Sequence, residues 1–281
     1  MKKAALKEFL AVTSLWYKTY SILRKNLAVR LNSPMSLLVS LGNGLLILFA
    51  FFYVTRLFGA SAAPYLSRYG GDYFPFIIIG LAFNQFYLTG EQAVRNAIYN
   101  MGHAESVLTT RTSLLEYISI KTLLDYLGQI ARIILLLLAG YALFGMKITV
   151  HGIAGACIVA VLTIICSFSY GIITASFLLA FKRQLPVSSL LQRLQALLSG
   201  VYFPLSLLPA WLKGASLVLP MTYSLDGLRM TIIKGASLSS ISGDVFALAV
   251  FSMIFAPLSI VVFKLGVWKA KHNGTLLFRK D

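Results

Sequence analysis

The sequence predicts an all-α integral membrane protein with six transmembrane helices, an N-terminal amphipathic interface helix and a re-entrant helical hairpin between the fifth and sixth helices. Of the 281 residues, 58% are hydrophobic and only 12% are charged, and the mean hydropathy is +0.80. Soluble proteins carry about 25% charged residues. The apolar residues also form six runs, each near the ~20 residues that cross a bilayer core. No polar stretch is long enough to bury a second core, so residues 1–281 are expected to form a single transmembrane domain.

The predicted spans are residues 35–58, 73–98, 118–144, 153–181, 187–208 and 245–268. Under this alternation, most of the 25 Lys and Arg residues fall on the side that holds both termini. The positive-inside rule then predicts a multi-pass protein of the cytoplasmic (inner) membrane with both termini in the cytoplasm. The same distribution accounts for the net charge of +16 without nucleic-acid binding. No compact apolar segment with a cleavage site follows the basic start of the chain, so a signal peptide is not expected.

Residues 1–33 have the pattern of a basic amphipathic helix. Apolar side chains recur at intervals of three and four residues between lysines and arginines; they are Leu6, Phe9, Leu10, Trp16, Tyr20, Leu23 and Leu27. Such a helix is expected to lie in the cytoplasmic interface of the membrane. A soluble helix packed on another protein is the alternative. Pro34 ends the helix and starts the first span, because a proline disfavours helical backbone angles in the residue before it.

The polar residues 99–117 predict a cytoplasmic helix between the second and third spans. Gly102 breaks the preceding helix, and Ser113 with Glu116 resembles a capping box for the third span. An ordinary connection is the alternative, although most connections run only about 4 to 6 residues.

Residues 204–232 predict two short helices that dip into the membrane from the outer side. Pro204, Pro209 and Pro220 interrupt an apolar segment where a spanning helix would be continuous. Irregular backbone at membrane depth is tolerated only where it is buried in protein or lines a watery cavity. The break therefore favours a transport pathway over a simple anchor.

The same break carries a motif. Residues 199–211 read Ser-Gly-Val-Tyr-Phe-Pro-Leu-Ser-Leu-Leu-Pro-Ala-Trp, residues 219–223 read Leu-Pro-Met-Thr-Tyr, and residues 226–229 read Asp-Gly-Leu-Arg. This resembles the glycine, proline, proline, Leu-Pro-Leu-Thr-Tyr and arginine pattern in the permease subunits of ABC type-2 exporters, which include drug-resistance, nodulation-factor and polysaccharide exporters. The positions that match are Gly200, Pro204, Pro209, Pro220, Tyr223 and Arg229.

Residues 102–113 resemble the coupling helix of the same family, with His103 in place of the usual threonine and Arg111 in place of the usual proline. The resemblance implies that this segment contacts the nucleotide-binding subunit through Gly102, His103, Glu105, Ser106 and Thr109.

The resemblance also implies the partners. Such a permease dimerises with a second copy or a homologue in membrane lipid, and it pairs with two copies of a cytoplasmic ABC ATPase. This sequence has no phosphate loop of the form G-x-x-x-x-G-K-[ST]. ATP and Mg are therefore expected on the partner subunit, with no cofactor in this chain and no enzyme activity of its own.

The predicted function is ATP-driven export of an amphipathic, lipid-linked or drug-like substrate across the cytoplasmic membrane. An ion-coupled secondary transporter of a small amphiphile is the alternative, although it should show a sequence repeat and none is visible. A membrane-embedded enzyme would need clustered titratable groups, which are not found. The three histidines fall in separate loops, so no metal site is expected.

Three charges inside predicted spans are candidate functional residues: Glu91, Asp125 and Arg132. Charge inside a membrane is costly, so such residues are functional candidates by default. The favoured alternative is a structural ion-pair cluster. We expect Arg132 to face the interior of the bundle, neutralised by Glu91, Asp125 or both.

The candidate residues for lining the pathway are Asn84, Gln85, Tyr87, Tyr202 and Phe203. The two mid-span amides need hydrogen-bond partners, which places them in a helix interface or a cavity. The alternative for the aromatic residues is a core or lipid-facing position.

Overall fold

The computed structural model describes residues 34–99, 114–149, 151–181 and 187–272, and all regular structure in these ranges is helical. The α-helices are α1 (Pro34–Ala62), α2 (Tyr73–Tyr99), α3 (Leu114–Phe144), α4 (Ile153–Phe181), α5 (Val187–Leu198), α6 (Ala210–Leu217), α7 (Pro220–Lys234) and α8 (Ser242–His272). Two 3-10 segments, Ala63–Tyr69 and Leu205–Leu207, follow α1 and α5. The all-helical class predicted from the sequence is confirmed for these residues.

Two predicted features lie outside the described residues. They are the interface helix at 1–33 and the coupling residues Gly102, His103, Glu105, Ser106 and Thr109. Both stay predictions.

Among the described residues, three helices contain segments that are long and apolar enough to cross a membrane: Leu115–Phe144, Ile153–Phe177 and Ser242–Lys269. A shorter apolar segment, Gly42–Leu57, lies in α1. These segments agree with the predicted membrane class. The count of six spans stays a prediction.

The fifth predicted span is wrong as a continuous helix to residue 208, because α5 ends at Leu198. Gly200 has φ 77°, a left-handed conformation that favours glycine. The Val201 N–H donates to the Ala196 carbonyl oxygen (3.2 Å), which closes the end of the helix. At 1.5 Å per residue the 12 residues of α5 extend about 18 Å.

Helix α4 lies at the centre of the bundle and packs against α8, α2 and α7. Small residues bring the helices close together at these crossings. A Cβ added at Gly171 of α4 would lie 2.7 Å from the Gly90 carbonyl oxygen of α2. A Cβ at Gly266 of α8 would lie 2.9 Å from the Ser176 carbonyl oxygen of α4. Close approach of backbones over small residues is the usual way in which helices associate in membranes, where no hydrophobic force drives them together.

Helices α6 and α7 form a connected pair after the irregular segment that follows α5, and side-chain hydrogen bonds hold their junction. The Ser216 hydroxyl donates to the Leu198 carbonyl oxygen (2.7 Å), so the end of α6 returns to the end of α5. The Thr222 hydroxyl donates to the Ser216 carbonyl oxygen (2.7 Å). Pro220 occupies the first turn of α7, where its missing N–H has no partner to lose.

Candidate functional site

A buried arginine holds the irregular backbone between α5 and α6, which we call the break. Arg229 lies on α7 and is 2% exposed. Its Nη1 and Nη2 donate to the carbonyl oxygens of Gly200 (2.9 Å) and Val201 (3.0 Å). Its Nε donates to the carbonyl oxygen of Phe76 on α2 (3.2 Å). One side chain therefore ties three parts of the chain together.

Arginine suits this position because its planar guanidinium offers several donors in a fixed fork. The carbonyl oxygens of Gly200 and Val201 need donors, since the backbone leaves the helix there and buried carbonyls without partners are costly. The Phe76 ring adds a cation–π contact, with its centroid 3.6 Å from the Arg229 Cζ. Burial lowers the pKa of Arg229 to about 10, so the side chain is still charged at neutral pH.

Gly80 of α2 leaves the space that the guanidinium occupies. A Cβ at this position would collide with the Arg229 Nη2 atom and with the Val201 carbonyl oxygen. The contact between α2 and the break therefore requires the absence of a side chain at residue 80.

A second set of polar contacts involves Asp226 and Lys234 of α7. The Asp226 carboxylate accepts hydrogen bonds from Arg68 (2.5 Å) and from the Tyr69 hydroxyl (2.6 Å). The Lys234 Nζ donates to the Ser67 carbonyl oxygen (3.2 Å). Burial and the Asp226 carboxylate raise the pKa of Tyr69, which keeps the hydroxyl protonated as a donor. The 3-10 segment after α1 is thus clamped onto α7.

The structure brings together only part of the predicted break motif. Gly200 and Arg229 are in direct contact, as described above. Pro204 and Pro220 are buried, whereas Pro209 is exposed and precedes α6. Tyr223 is half-buried, and its hydroxyl donates to the Leu217 carbonyl oxygen (3.0 Å).

Glu91 and Asp125 occupy different surroundings. Glu91 is 3% exposed, and its Oε1 lies 3.7 Å from Nη1 of Arg95, one turn along α2. Asp125 is half-buried on α3.

The expectation for Arg132 is wrong for a single copy of the chain. Its side chain is exposed, and within the described ranges it forms no ion pair with Glu91 or Asp125. Gln129 and Ile133 are buried and define the inward face of α3. Arg132 precedes Ile133 by one residue, which turns it about 100° away from that face.

The predicted pathway residues do not share one surface. Tyr87 is 2% exposed, Asn84 and Phe203 are half-buried, and Gln85 and Tyr202 are exposed. The Oδ1 atom of Asn84 is buried without a hydrogen-bond partner in the part of the chain that the structure describes. The Tyr202 carbonyl oxygen accepts a hydrogen bond from the Tyr73 hydroxyl (2.9 Å). A role in transport for these five residues stays a prediction.

Sequence reasoning missed Phe76, Gly80, Arg68 and Tyr69 as parts of the site. A glycine within an apolar helix is common, so Gly80 gave no local signal. Arg68 lies between the first and second predicted spans, and nothing in its local sequence marks it as a site residue.

Comparison with known proteins identifies one family. A family model described as ABC-2 type transporter matches residues 17–233, which is most of the chain and includes the whole arginine-anchored break. No curated protein sequence matches the chain.

Proposed function

Since the chain belongs to the ABC-2 type transporter family as a membrane permease subunit, we propose that it exports an amphipathic, lipid-linked or drug-like molecule with energy from ATP. The family match over residues 17–233 is the observation that carries this proposal. The direction of transport, the energy source and the class of substrate are parts of the proposal.

The geometry of the break supports a transport role. Arg229 supplies donors to irregular backbone at Gly200 and Val201, which would otherwise be unstable in an apolar environment. An anchor has no need of such a break, since a continuous helix satisfies its own backbone. A buried and rigidly held break next to α2 is suited to form one wall of a pathway.

The proposed assembly contains two permeases and two cytoplasmic ATPase subunits. ATP and Mg bind the ATPase, and this chain receives the motion through the proposed coupling segment at 102–113. Both termini are placed in the cytoplasm, residues 1–281 form one domain, and 204–232 is the outer re-entrant hairpin. Glu105 is the residue we select for a test of coupling, because reversing its charge introduces a like-charge contact that can cost several kcal/mol at an interface.

The test is purification of the tagged chain in mild detergent from its native cells, followed by mass spectrometry of the proteins that elute with it. We expect a soluble-type protein with a phosphate loop, together with ATP hydrolysis in the eluted complex. The Glu105→Lys variant should still express, and substrate-stimulated ATP hydrolysis should fall.

Hydrolysis at the wild-type level in the Glu105→Lys complex would overturn the coupling assignment alone. Transport of an amphiphile by the purified chain without ATP would overturn the exporter proposal and favour the ion-coupled alternative.

A further inference from the structure

Helices α1, α2 and α3 carry exposed polar residues at one depth, which we call the polar belt. Its members are Asn43 on α1, Gln85 on α2 and Arg132 on α3. The rings of Phe52, Phe74 and Phe144 give the three helices a common level, since their centroids lie 4.8 to 5.6 Å apart. Counted from these rings at 1.5 Å per residue, the three belt residues lie about 14, 17 and 18 Å along their helices.

The exposed faces of α4 and α8 differ from those of α1, α2 and α3. The exposed residues of α4 from 153 to 177 and of α8 from 245 to 263 include no charged side chain and no amide. Apolar faces of this kind suit contact with acyl chains, whereas Asn, Gln and Arg need polar partners in hydrocarbon. The belt therefore marks the side of the bundle that meets polar groups within the membrane.

Arg132 is the charged member of the belt and lies near the middle of the 30-residue apolar segment Leu115–Phe144. Long cationic side chains reach the membrane interface from the ends of a span, and Arg132 is far from both ends. Leu136, one turn further along α3, faces α1, because its Cδ1 would lie 3.5 Å from a Cβ at Gly44. Arg132 therefore lies beside α1. Among the described residues it has no ion pair and no hydrogen bond.

A second copy of the chain does not supply the missing negative charge. Within the described spans, the acidic residues nearest to Arg132 in depth are Glu91 and Asp125. Glu91 is 3% exposed and pairs with Arg95 at 3.7 Å. Asp125 lies about 10 Å before Arg132 along α3 and interacts with Lys121. Copies related by a two-fold axis normal to the membrane present the same residues at the same depth, so the anion that neutralises Arg132 comes from another molecule.

The depth of Arg132 restricts the chemistry and the source of that molecule. A guanidinium binds phosphate and carboxylate groups through a fixed fork of donors. The phosphates of bilayer lipids lie outside the ~30 Å hydrocarbon core. A head group that meets Arg132 has left the interface, as the head group of an exported amphiphile has to. Leu135 and Leu138, which are 51% and 56% exposed on the same helix, offer an apolar surface to an alkyl chain.

We propose that the exposed face of α3 around Arg132 binds the anionic head group, a phosphate or a carboxylate, of the exported amphiphile, while Leu135 and Leu138 contact its alkyl part. This inference rests on the proposed export function and narrows its substrate class to anionic amphiphiles. A cationic molecule is repelled at this depth, because the belt holds one positive charge and no negative charge.

The test is photolabelling of the purified full chain in phosphatidylcholine nanodiscs without ATP. The probes are tetradecyl phosphate and tetradecyl phosphocholine, each with a diazirine in the alkyl chain, and the adducts are mapped by mass spectrometry. We expect saturable labelling of α1 and α3 by the alkyl phosphate. Arg132→Gln removes the charge, so the affinity for the alkyl phosphate should fall about 10-fold or more, in the range of a charge-assisted hydrogen bond, while the affinity for the phosphocholine holds.

Two variants and one competitor serve as controls. Arg132→Lys keeps the charge without the fork, so the affinity should fall less than in Arg132→Gln. Arg193→Gln removes an exposed arginine from α5 and should leave the labelling of α1 and α3 at the wild-type level. Phosphatidylglycerol in the nanodisc should compete weakly, because its phosphate stays in the headgroup region. Equal Tm values for Arg132→Gln and the wild type verify that the variant folds.

Four results would overturn the proposal: labelling that does not saturate, adducts confined to α4 and α8, an equal effect of Arg132→Gln on both probes, or displacement by phosphatidylglycerol as effective as by unlabelled tetradecyl phosphate. The first would mean that another helix or a second copy covers this face, and the last would assign the face to bilayer lipid. None of the measurements uses ATP or the partner subunit, so failure here leaves the exporter proposal standing.

Discussion

Replacing Arg229 by methionine tests the buried anchor. Methionine has an unbranched side chain of similar length that is apolar, so the substitution removes all three hydrogen bonds. Within the described ranges, the Gly200 and Val201 carbonyl oxygens accept no backbone hydrogen bond, so both lose their partner. An unsatisfied buried acceptor costs about 1 to 3 kcal/mol, which gives about 2 to 6 kcal/mol for the pair. Removing the buried charge relieves its desolvation cost and offsets part of this loss, so we expect a value near the lower end of the range.

The assay is thermal unfolding of the purified chain in one detergent, followed by tryptophan fluorescence. A loss of 2 kcal/mol corresponds to a decrease in Tm of about 4 to 8 °C, taking about 2 to 4 °C for each kcal/mol. Lys234→Met, on the same helix, is the control: Lys234 is exposed and donates one hydrogen bond at 3.2 Å, so its loss should cost about 1 kcal/mol or less. Equal Tm values for Arg229→Met and the wild type would refute the anchor.

Three further predictions concern helix packing and stability. Gly80→Ala should lower the Tm, because its Cβ collides with the Arg229 guanidinium and a backbone carbonyl. Gly42→Ala should leave the Tm unchanged, because nothing lies within 4 Å of a Cβ there. A Gly80→Ala protein with the wild-type Tm would contradict the close contact. Gly171→Leu should prevent correct packing of α4 on α2, which size-exclusion chromatography would show as aggregation. A monodisperse profile of this variant, like that of the wild type, would be the opposing result. Arg95→Leu should destabilise by up to about 3 kcal/mol because it leaves a buried carboxylate unpaired, while the exposed Arg132→Leu should change stability by less than about 0.5 kcal/mol. A larger loss for Arg132→Leu than for Arg95→Leu would show that Arg132 has a buried partner.

The sequence was sufficient to predict the helical membrane class and the place of the break. Long apolar runs leave few alternatives to helix, and Gly200 with Pro204 marks a point where a helix has to end. The same signals located Arg229 within a motif. Its partners were not predictable, because Phe76 lies 153 residues away in the chain and only the packing of α7 on α2 brings them together.

The direction of side chains was the weakest part of the sequence reasoning. Helix α3 is apolar on most of its circumference, so the sequence did not show which face packs inward, and Arg132 was assigned to the interior. Tyr170 and Gln195, which line a cavity together with Tyr87, were also missed, because only the packing of α4 and α5 around Tyr87 gives them a shared surface.

Transport in proteoliposomes is the most direct test of whether this permease works in an ATP-driven exporter. The chain, co-reconstituted with the ATPase that purifies with it, is supplied with a fluorescent short-chain lipid as the probe. We expect that movement of the probe requires hydrolysable ATP, stops with a non-hydrolysable analogue, and is unaffected when ionophores abolish ion gradients. Movement that follows an ion gradient and continues without ATP would contradict the ATP-driven mechanism.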